Sequence, residues 1–306
     1  MSPALALIVG ALVVAGLAPA LLEAAAKRVR DPMAVLLAWW VTLAAVPATF
    51  AAGVALLLTP GTGVEDWARN LAHHCLIALQ HGRFPAPDEI VGLVGVVVLG
   101  ASTARALIAV RRQTLAQRET RQAHQDLLTL LGKAAPTRET VLRIPHSTPL
   151  AYSLGGRRAV IVVSDGVLRL PPAQREAVLC HERAHVRGRH HLIVAAAEVL
   201  AAAAPWVPLA RRSPHAMRLL VELCADDATA RECGASAVRA ALIALGGGIP
   251  QPAHALPMAG SNVAVRLRRL QDGRVHPRRA GRAVLPLMAA AAPAVVAAMG
   301  AATICF

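Results

Sequence analysis

The sequence predicts a mainly α-helical, polytopic membrane protein with about four transmembrane helices and an α+β domain that contains a small sheet. Two observations predict this class. Hydrophobic residues make up 56% of the 306 residues and charged residues only 16%, a balance unlike that of a water-soluble chain. Long apolar runs at both ends enclose a more polar segment with short β-like pieces and one amphipathic helix.

Four apolar runs are long enough for transmembrane helices, which need roughly 20 apolar residues each. They lie at residues 1–22, 32–64, 90–110 and 283–306. In the first run the basic residues, beginning with Lys27, follow the apolar stretch, so we expect a mature helix and not a signal peptide. Arg105 interrupts the third run near its end, where a long side chain can reach the membrane surface.

The basic residues beside these runs predict the orientation. Lys and Arg follow the first and third runs and precede the last one, whereas acids outnumber bases in the 65–89 loop. We therefore expect an N-terminal membrane domain over 1–110, a cytoplasmic domain over 111–282 and a C-terminal transmembrane helix over 283–306. The net charge of +14 comes with only 3% aromatic residues and no basic stripe, so we expect a lipid bilayer and no nucleic acid as partner.

The 111–282 segment begins with a connector helix over 111–133. Short β-like pieces follow, VLRI, LAYSL and AVIVVS, with Gly155-Gly156 as a turn. Pro171-Pro172 then begin a helix, since proline is tolerated in the first helical turn. These signals predict a small sheet packed beside one helix.

That helix contains the sequence HERAH, with His181, Glu182 and His185. Residues four apart lie on one helical face, so both imidazoles can bind one Zn²⁺. Glu182 lies nearby, where a carboxylate can take a proton from a metal-activated water. The alternative is a solvated helix surface that happens to carry these residues.

A catalytic zinc ion needs a third protein ligand, and the residues leave two candidates. One is Glu222 in VELCADDATA, where Asp226 falls one helical turn later and can accept the second ring N–H of a ligand imidazole. The other is His191, which with Gly188 completes the pattern HExxHxxGxxH.

Residues 145–270 resemble the membrane zinc peptidases of the BlaR/MecR-type antibiotic sensors and the related HtpX-type proteases. The segments that match, in order, are PLAYSLGG, AVIVVSDGVLRL, REAVLCHERAHVRGRHHL, VELCADDATA and VRLRRL. The resemblance implies a gluzincin-type zincin domain that binds one Zn²⁺ per chain through His181, His185 and Glu222. It makes Glu182 the catalytic base, and it favours Glu222 over His191 because a histidine at that place does not bind metal in the family.

The resemblance also implies a function. We expect an endopeptidase that cleaves a cytoplasmic or membrane protein, in regulation or signalling and with a repressor as a candidate partner. An HtpX-like quality-control protease is the alternative, and a non-hydrolytic zinc-binding scaffold is a third interpretation. The SxxK motif of a β-lactam sensor is absent from the sequence, so we expect no direct sensing of that kind.

The apolar run at 191–210 separates the two motifs. A simple span there would put Glu222 on the opposite side of the membrane from His181, so both could not bind one metal ion. Glu198 within the run, and Pro205 and Pro208 near its end, predict a re-entrant or interfacial hairpin.

Several further residues are weaker candidates. Residues 150–154 are a candidate substrate-binding edge strand, with an ordinary core strand as the alternative. Tyr152, His254 and Arg266 are candidates for stabilising the oxyanion. Arg266 lies in a run with Arg268 and Arg269, and we expect it to belong to a solvated basic face.

Overall fold

A computed structural model describes residues 3–28, 31–58, 87–130, 139–155, 159–246, 256–257, 263–273 and 292. Its helices are α1 (Pro3–Arg28), α2 (Pro32–Leu58), α3 (Pro87–Leu130), α4 (Asp165–Leu168), α5 (Pro172–Arg187), α6 (His190–Ala203), α7 (Pro208–Cys233), α8 (Ala235–Leu245) and α9 (Val263–Gln271). Its strands are β1 (Glu139–Ile144), β2 (Ala151–Leu154), β3 (Ala159–Ser164) and β4 (Leu256–Pro257).

Three of the described helices are long and apolar enough to cross a membrane, over Ala4–Ala26, Pro32–Leu57 and Ile90–Ala116. These are the three N-terminal runs predicted as spans. The connector helix predicted for 111–133 continues the third span without a break as far as Leu130. The fourth predicted span, 283–306, lies outside the described residues apart from Ala292, so the number of four spans stays a prediction. The predicted 65–89 loop also lies outside them as far as residue 86, and its last three residues begin α3.

One apolar core joins the first two helices to α6 and α7. Its centre is Trp39 on α2, which is fully buried, and α7 contributes Met217, Leu220 and Val221 to the same cluster. Close approach of α1 and α2 requires a glycine at position 53, because an added Cβ there would lie 2.9 Å from the Ala4 carbonyl oxygen. The helix that carries Glu222 therefore packs directly on candidate membrane helices.

The sheet confirms the three predicted strands and adds a short fourth. The strand order is β1-β3-β2-β4, with β1 parallel to β3 and the other pairs antiparallel. Because side chains alternate between the faces of a strand, Ala151 packs toward α5 and α8, whereas Tyr152 packs on the opposite face with Leu142 and Val162.

Helix α5 begins at Pro172, as predicted, and lies against the sheet through Ala177 and Val178. It ends at Arg187 and is followed by Gly188, and Arg189 then adopts a left-handed backbone conformation with φ of 49°. The chain thereby changes direction and enters α6 at once, which sets the first residues of α6 beside the end of α5.

The apolar segment predicted at 191–210 forms α6, residues 204–207 and the start of α7. The 14 residues of α6 are fewer than the roughly 20 needed for a span. Glu198 on α6 pairs with Arg218 of α7 and accepts a hydrogen bond of 2.9 Å from Gln113 of α3. At the end of α6, Arg105 of α3 donates to the Ala202 carbonyl at 2.9 Å. Helix α6 is thus held between α3 and α7, and its place relative to the bilayer stays a prediction.

Candidate metal centre

Helix α5 brings the two histidines of HERAH together. His181 and His185 are four residues apart and almost completely buried, and their Nε2 atoms lie 3.0 Å from each other. Both side chains therefore present the same ring nitrogen to one point beside the helix.

Glu222 reaches that point from α7. Its Oε2 lies 3.4 Å from His181 Nε2, and its Oε1 lies 3.3 Å from His185 Nε2. Ligands at about 2.0–2.1 Å from a tetrahedral zinc ion are about 3.3–3.4 Å from one another. The three residues form a buried cluster that could hold a metal ion. The two distances to Glu222 match those between zinc ligands, and the 3.0 Å between the Nε2 atoms is slightly shorter.

Glu182 lies next to this cluster, with its carboxylate fully buried. Neither of its oxygens has a hydrogen-bond partner of regular geometry among the described residues. Burial raises the pKa of Glu182, and the neighbouring His185, His181 and Ser153 offset part of that rise. A buried carboxylate whose oxygens are still available can accept a proton from a molecule bound at the centre.

The second ring nitrogens of both histidines have polar neighbours. Nδ1 of His181 lies 3.2 Å from Asp226 Oδ1, the arrangement that the spacing of Glu222 and Asp226 predicts. Nδ1 of His185 lies 2.8 Å from Nδ1 of His190, the first residue of α6. Sequence reasoning missed His190 because helical periodicity does not extend across the break at 188–189.

Arg266 on α9 is fully buried, so its prediction as part of a solvated basic face is wrong. Its guanidinium donates two hydrogen bonds of 2.7 Å to Asp226 and lies 2.8 Å from Glu222 Oε2. Arg269, one turn later, pairs with Asp227 at 3.1 Å, whereas Arg268 is exposed. Arg266 and Arg269 are buried because they pair with buried carboxylates of α7, and a buried charge without a partner is costly.

These charges set the ionisation of the centre. Burial alone would raise the pKa of Glu222, but Arg266 and His185 hold it well below the usual range. Burial likewise opposes ionisation of Asp226, yet Arg266 keeps its pKa at about 2. Burial would lower the pKa of His181, and the adjacent Asp226 and Glu222 raise it to about 9. The carboxylates are charged at neutral pH, as metal binding requires.

The other sequence candidates lie elsewhere. His191 is not in the described cluster; its ring packs against Gly155, where an added Cβ would lie 2.0 Å from Nδ1. Tyr152 lies on the face of the sheet away from α5, and His254 lies outside the described residues. The edge of β2 that does not pair with β3 pairs in part with β4, at Tyr152 and Pro257. The candidate substrate-binding strand at 150–154 is therefore partly covered on that edge.

The chain thus combines a buried cluster that could hold a metal ion with three helices apolar enough to cross a membrane, and two known groups of proteins are similar to part of it. Residues 114–214 match the model of peptidase family M48, a stretch that includes HERAH and ends before Glu222. A stretch of 94 residues is 35% identical to a protease HtpX homolog of Syntrophobacter fumaroxidans, and it covers 30% of this chain and 33% of that protein. No solved structure matches the chain significantly.

Proposed function

We propose that the protein is an integral membrane zinc endopeptidase of the HExxH and ExxxD type. His181, His185 and Glu222 hold one Zn²⁺, and Glu182 is the catalytic base. The observation that carries this proposal is the set of three buried side chains beside the buried Glu182 carboxylate: the two histidine Nε2 atoms lie 3.0 Å apart, and each lies 3.3 or 3.4 Å from one oxygen of Glu222. The match to peptidase family M48 over HERAH supports it.

The residues of the centre then have separate tasks. The bound zinc ion would polarise the scissile carbonyl and acidify the attacking water. Glu182 takes the proton from that water and passes it to the leaving amine. Asp226 accepts the Nδ1 proton of His181 and so directs Nε2 of that ring toward the centre, while Arg266 keeps Asp226 and Glu222 charged.

The substrate is a membrane protein or a cytoplasmic protein that meets the enzyme at the bilayer. The core that α7 shares with α1 and α2 supports a site tied to the membrane helices, and the basic flanks of these helices favour a cytoplasmic face for 111–282. Quality control is the role that the resemblance to HtpX-type proteases implies, and the stretch similar to a protease HtpX homolog supports that resemblance. Regulated cleavage of a repressor, in the manner of BlaR/MecR-type peptidases, is the other role.

The first test combines zinc content with cleavage of an unfolded membrane-protein reporter by the purified full chain. Wild type should contain about one zinc ion per chain and cleave the reporter. Glu182→Gln should keep the zinc ion and lose cleavage by about 10²-fold or more. Glu176→Gln is the matched control, because Glu176 is an exposed carboxylate on the same helix.

The outcomes separate the interpretations. Zinc in both variants with cleavage only in wild type supports the peptidase. Zinc without cleavage of any substrate, including the cell's own membrane proteome, favours the scaffold. A folded wild-type protein that does not bind zinc overturns the ligand assignment. Cleavage of many unfolded membrane proteins supports quality control, whereas a single cleaved protein in that proteome supports regulation.

A further inference from the structure

His190 lies against the second ligand histidine in a contact that the proposed reaction does not use. Its ring is 4% exposed, and its Nδ1 lies 2.8 Å from Nδ1 of His185. The ring centroids are 4.8 Å apart, with the planes at 87°. His190 is therefore directed edge-on at the side of His185 that faces away from the cluster.

The position of the proton in this contact follows from the ligand geometry. Nε2 of His185 faces His181 and Glu222, and a nitrogen that binds metal carries no proton. The remaining proton of the neutral His185 ring then sits on Nδ1. For the 2.8 Å contact to be a hydrogen bond, Nδ1 of His190 must be the acceptor, so His190 carries its own proton on Nε2.

We infer that His190 is a positioning residue for the metal centre: its Nδ1 accepts the Nδ1 proton of His185 and thereby fixes the tautomer and the ring plane of that ligand. The inference rests on the proposed zinc site. It assigns His185 a neutral imidazole partner, where His181 has the carboxylate of Asp226 at the matching nitrogen.

Two backbone features hold His190 in this place. A Cβ added to Gly188 would lie 2.3 Å from Nε2 of His190, although the backbone of Gly188, with φ of −75°, suits any residue. A side chain at position 188 would therefore collide with the ring of His190. Arg189 is the one described non-glycine residue with positive φ, and its left-handed turn brings α6 back against α5.

A neutral partner has a chemical consequence. A carboxylate partner makes an imidazole a stronger metal ligand than a neutral acceptor does. The carboxylate stabilises the partial positive charge that develops on the ring when the ring donates electrons to the metal. The centre therefore has one strongly supported ligand, His181, and one more weakly supported ligand, His185. We expect His190→Asp to bind zinc more tightly than wild type.

The test measures zinc affinity of the full chain in detergent by competition with a chelator, for wild type, His190→Ala, His190→Asn, His190→Asp and His191→Ala. His190→Ala should raise the Kd for zinc by about 10- to 100-fold. His190→Asn should stay within a few-fold of wild type, since its Oδ1 can accept the same proton. His191→Ala is the neighbouring control and should leave the Kd unchanged. Thermal unfolding of the metal-free proteins checks that each variant folds equally well.

Gly188→Ala provides an independent arm. It should weaken zinc binding in the wild-type chain, because the methyl group displaces the His190 ring, and should add little to His190→Ala, because the obstructing ring is gone. A Kd for His190→Ala equal to that of wild type, or equal losses in His190→Asn and His190→Ala at matched stability, would overturn the inference. Those results leave a zinc-binding, cleaving wild type intact, so they are distinct from failure of the proposed function.

Discussion

At the scale of single residues, the centre depends on charges that are buried together. Glu222 and Asp226 are both at least 95% buried and share one cation, Arg266. Removing one partner of such a group leaves an uncompensated buried charge, which costs several kcal/mol, whereas an exposed charge contributes little. The stability of this region should therefore respond very unequally to substitutions in one short helix.

Arg266→Gln should lower the free energy of unfolding by about 3–5 kcal/mol. Its matched control is Arg268→Gln, two residues away on α9 and exposed, which should stay within about 0.5 kcal/mol of wild type. Thermal unfolding of the metal-free proteins, followed by tryptophan fluorescence, measures both changes. Equal midpoints for the two variants would contradict the buried ion pair.

Zinc affinity should increase with pH between about 7 and 9. In the metal-free protein His181 has a pKa of about 9 because of Asp226 and Glu222, so below that pH it holds a proton that must leave when metal binds to Nε2. Release of one proton makes the apparent Kd fall about 10-fold for each pH unit, and the dependence should level off above pH 9. Chelator competition at several pH values measures the slope, and a flat profile from pH 7 to 9 would contradict this ionisation.

At the scale of the elements, helix contacts and chain reversals rely on particular backbone positions. Helices α1 and α2 approach closely at Gly53, where the space beyond Cα is filled by Ile8 and the Ala4 carbonyl. Between α5 and α6, the reversal depends on a single left-handed residue, Arg189. For each feature, the same substitution at two residues of the same type should change the stability in opposite directions.

Gly53→Ala should destabilise the protein by about 1–3 kcal/mol, since its methyl group has no room between the helices. Gly16→Ala on α1 is the control: nothing lies within 4 Å of an added Cβ there, and alanine favours the helix. Detergent-resistance and thermal-unfolding assays report both. Loss of stability in Gly16→Ala equal to that in Gly53→Ala would argue against this helix contact.

Arg189→Gly should stabilise the fold by up to about 1 kcal/mol, because glycine adopts the left-handed conformation without the steric cost that an L-residue has. Arg187→Gly, an exposed position at the end of α5, should instead destabilise by about 0.5–1 kcal/mol, because glycine has a low helix propensity and the exposed ion pair with Glu232 is lost. The unfolding midpoints of both variants measure these changes. A lower midpoint for Arg189→Gly would mean that the Arg189 side chain stabilises the fold by more than its left-handed backbone conformation destabilises it.

At the scale of the whole molecule, the proposed centre connects two layers of the fold. Helix α5 packs on the sheet and supplies two ligands, while α7 packs on the candidate membrane helices and supplies the third. A metal ion bound between them would link the sheet side of the protein to its membrane side. Its removal should lower the unfolding free energy of both layers together.

Zinc should therefore stabilise the full chain. With free zinc at 100 times its Kd, the gain in unfolding free energy is about 2.7 kcal/mol, which should appear as a thermal shift of several degrees that a chelator reverses. Glu182→Gln should keep this shift and Glu222→Gln should lose most of it. A shift that survives in Glu222→Gln would mean that zinc binds elsewhere.

Local patterns determined much of this protein from the sequence alone. Long apolar runs predict the three N-terminal helices because a helix needs roughly 20 predominantly apolar residues to cross the hydrocarbon core of a bilayer. The spacing of four in His181 and His185, and again in Glu222 and Asp226, predicts their shared faces because it matches one helical turn.

Contacts between distant segments were decided only by the tertiary structure. Arg266 pairs with Asp226 across 40 residues of chain, and no local pattern distinguishes it from its exposed neighbour Arg268. His190 reaches His185 because the chain reverses at Arg189, where helical periodicity ends. Tyr152 faces away from the centre because of the register of β2 against β3. Burial and pairing of charge depend on how the elements pack, and that information is spread over the whole chain.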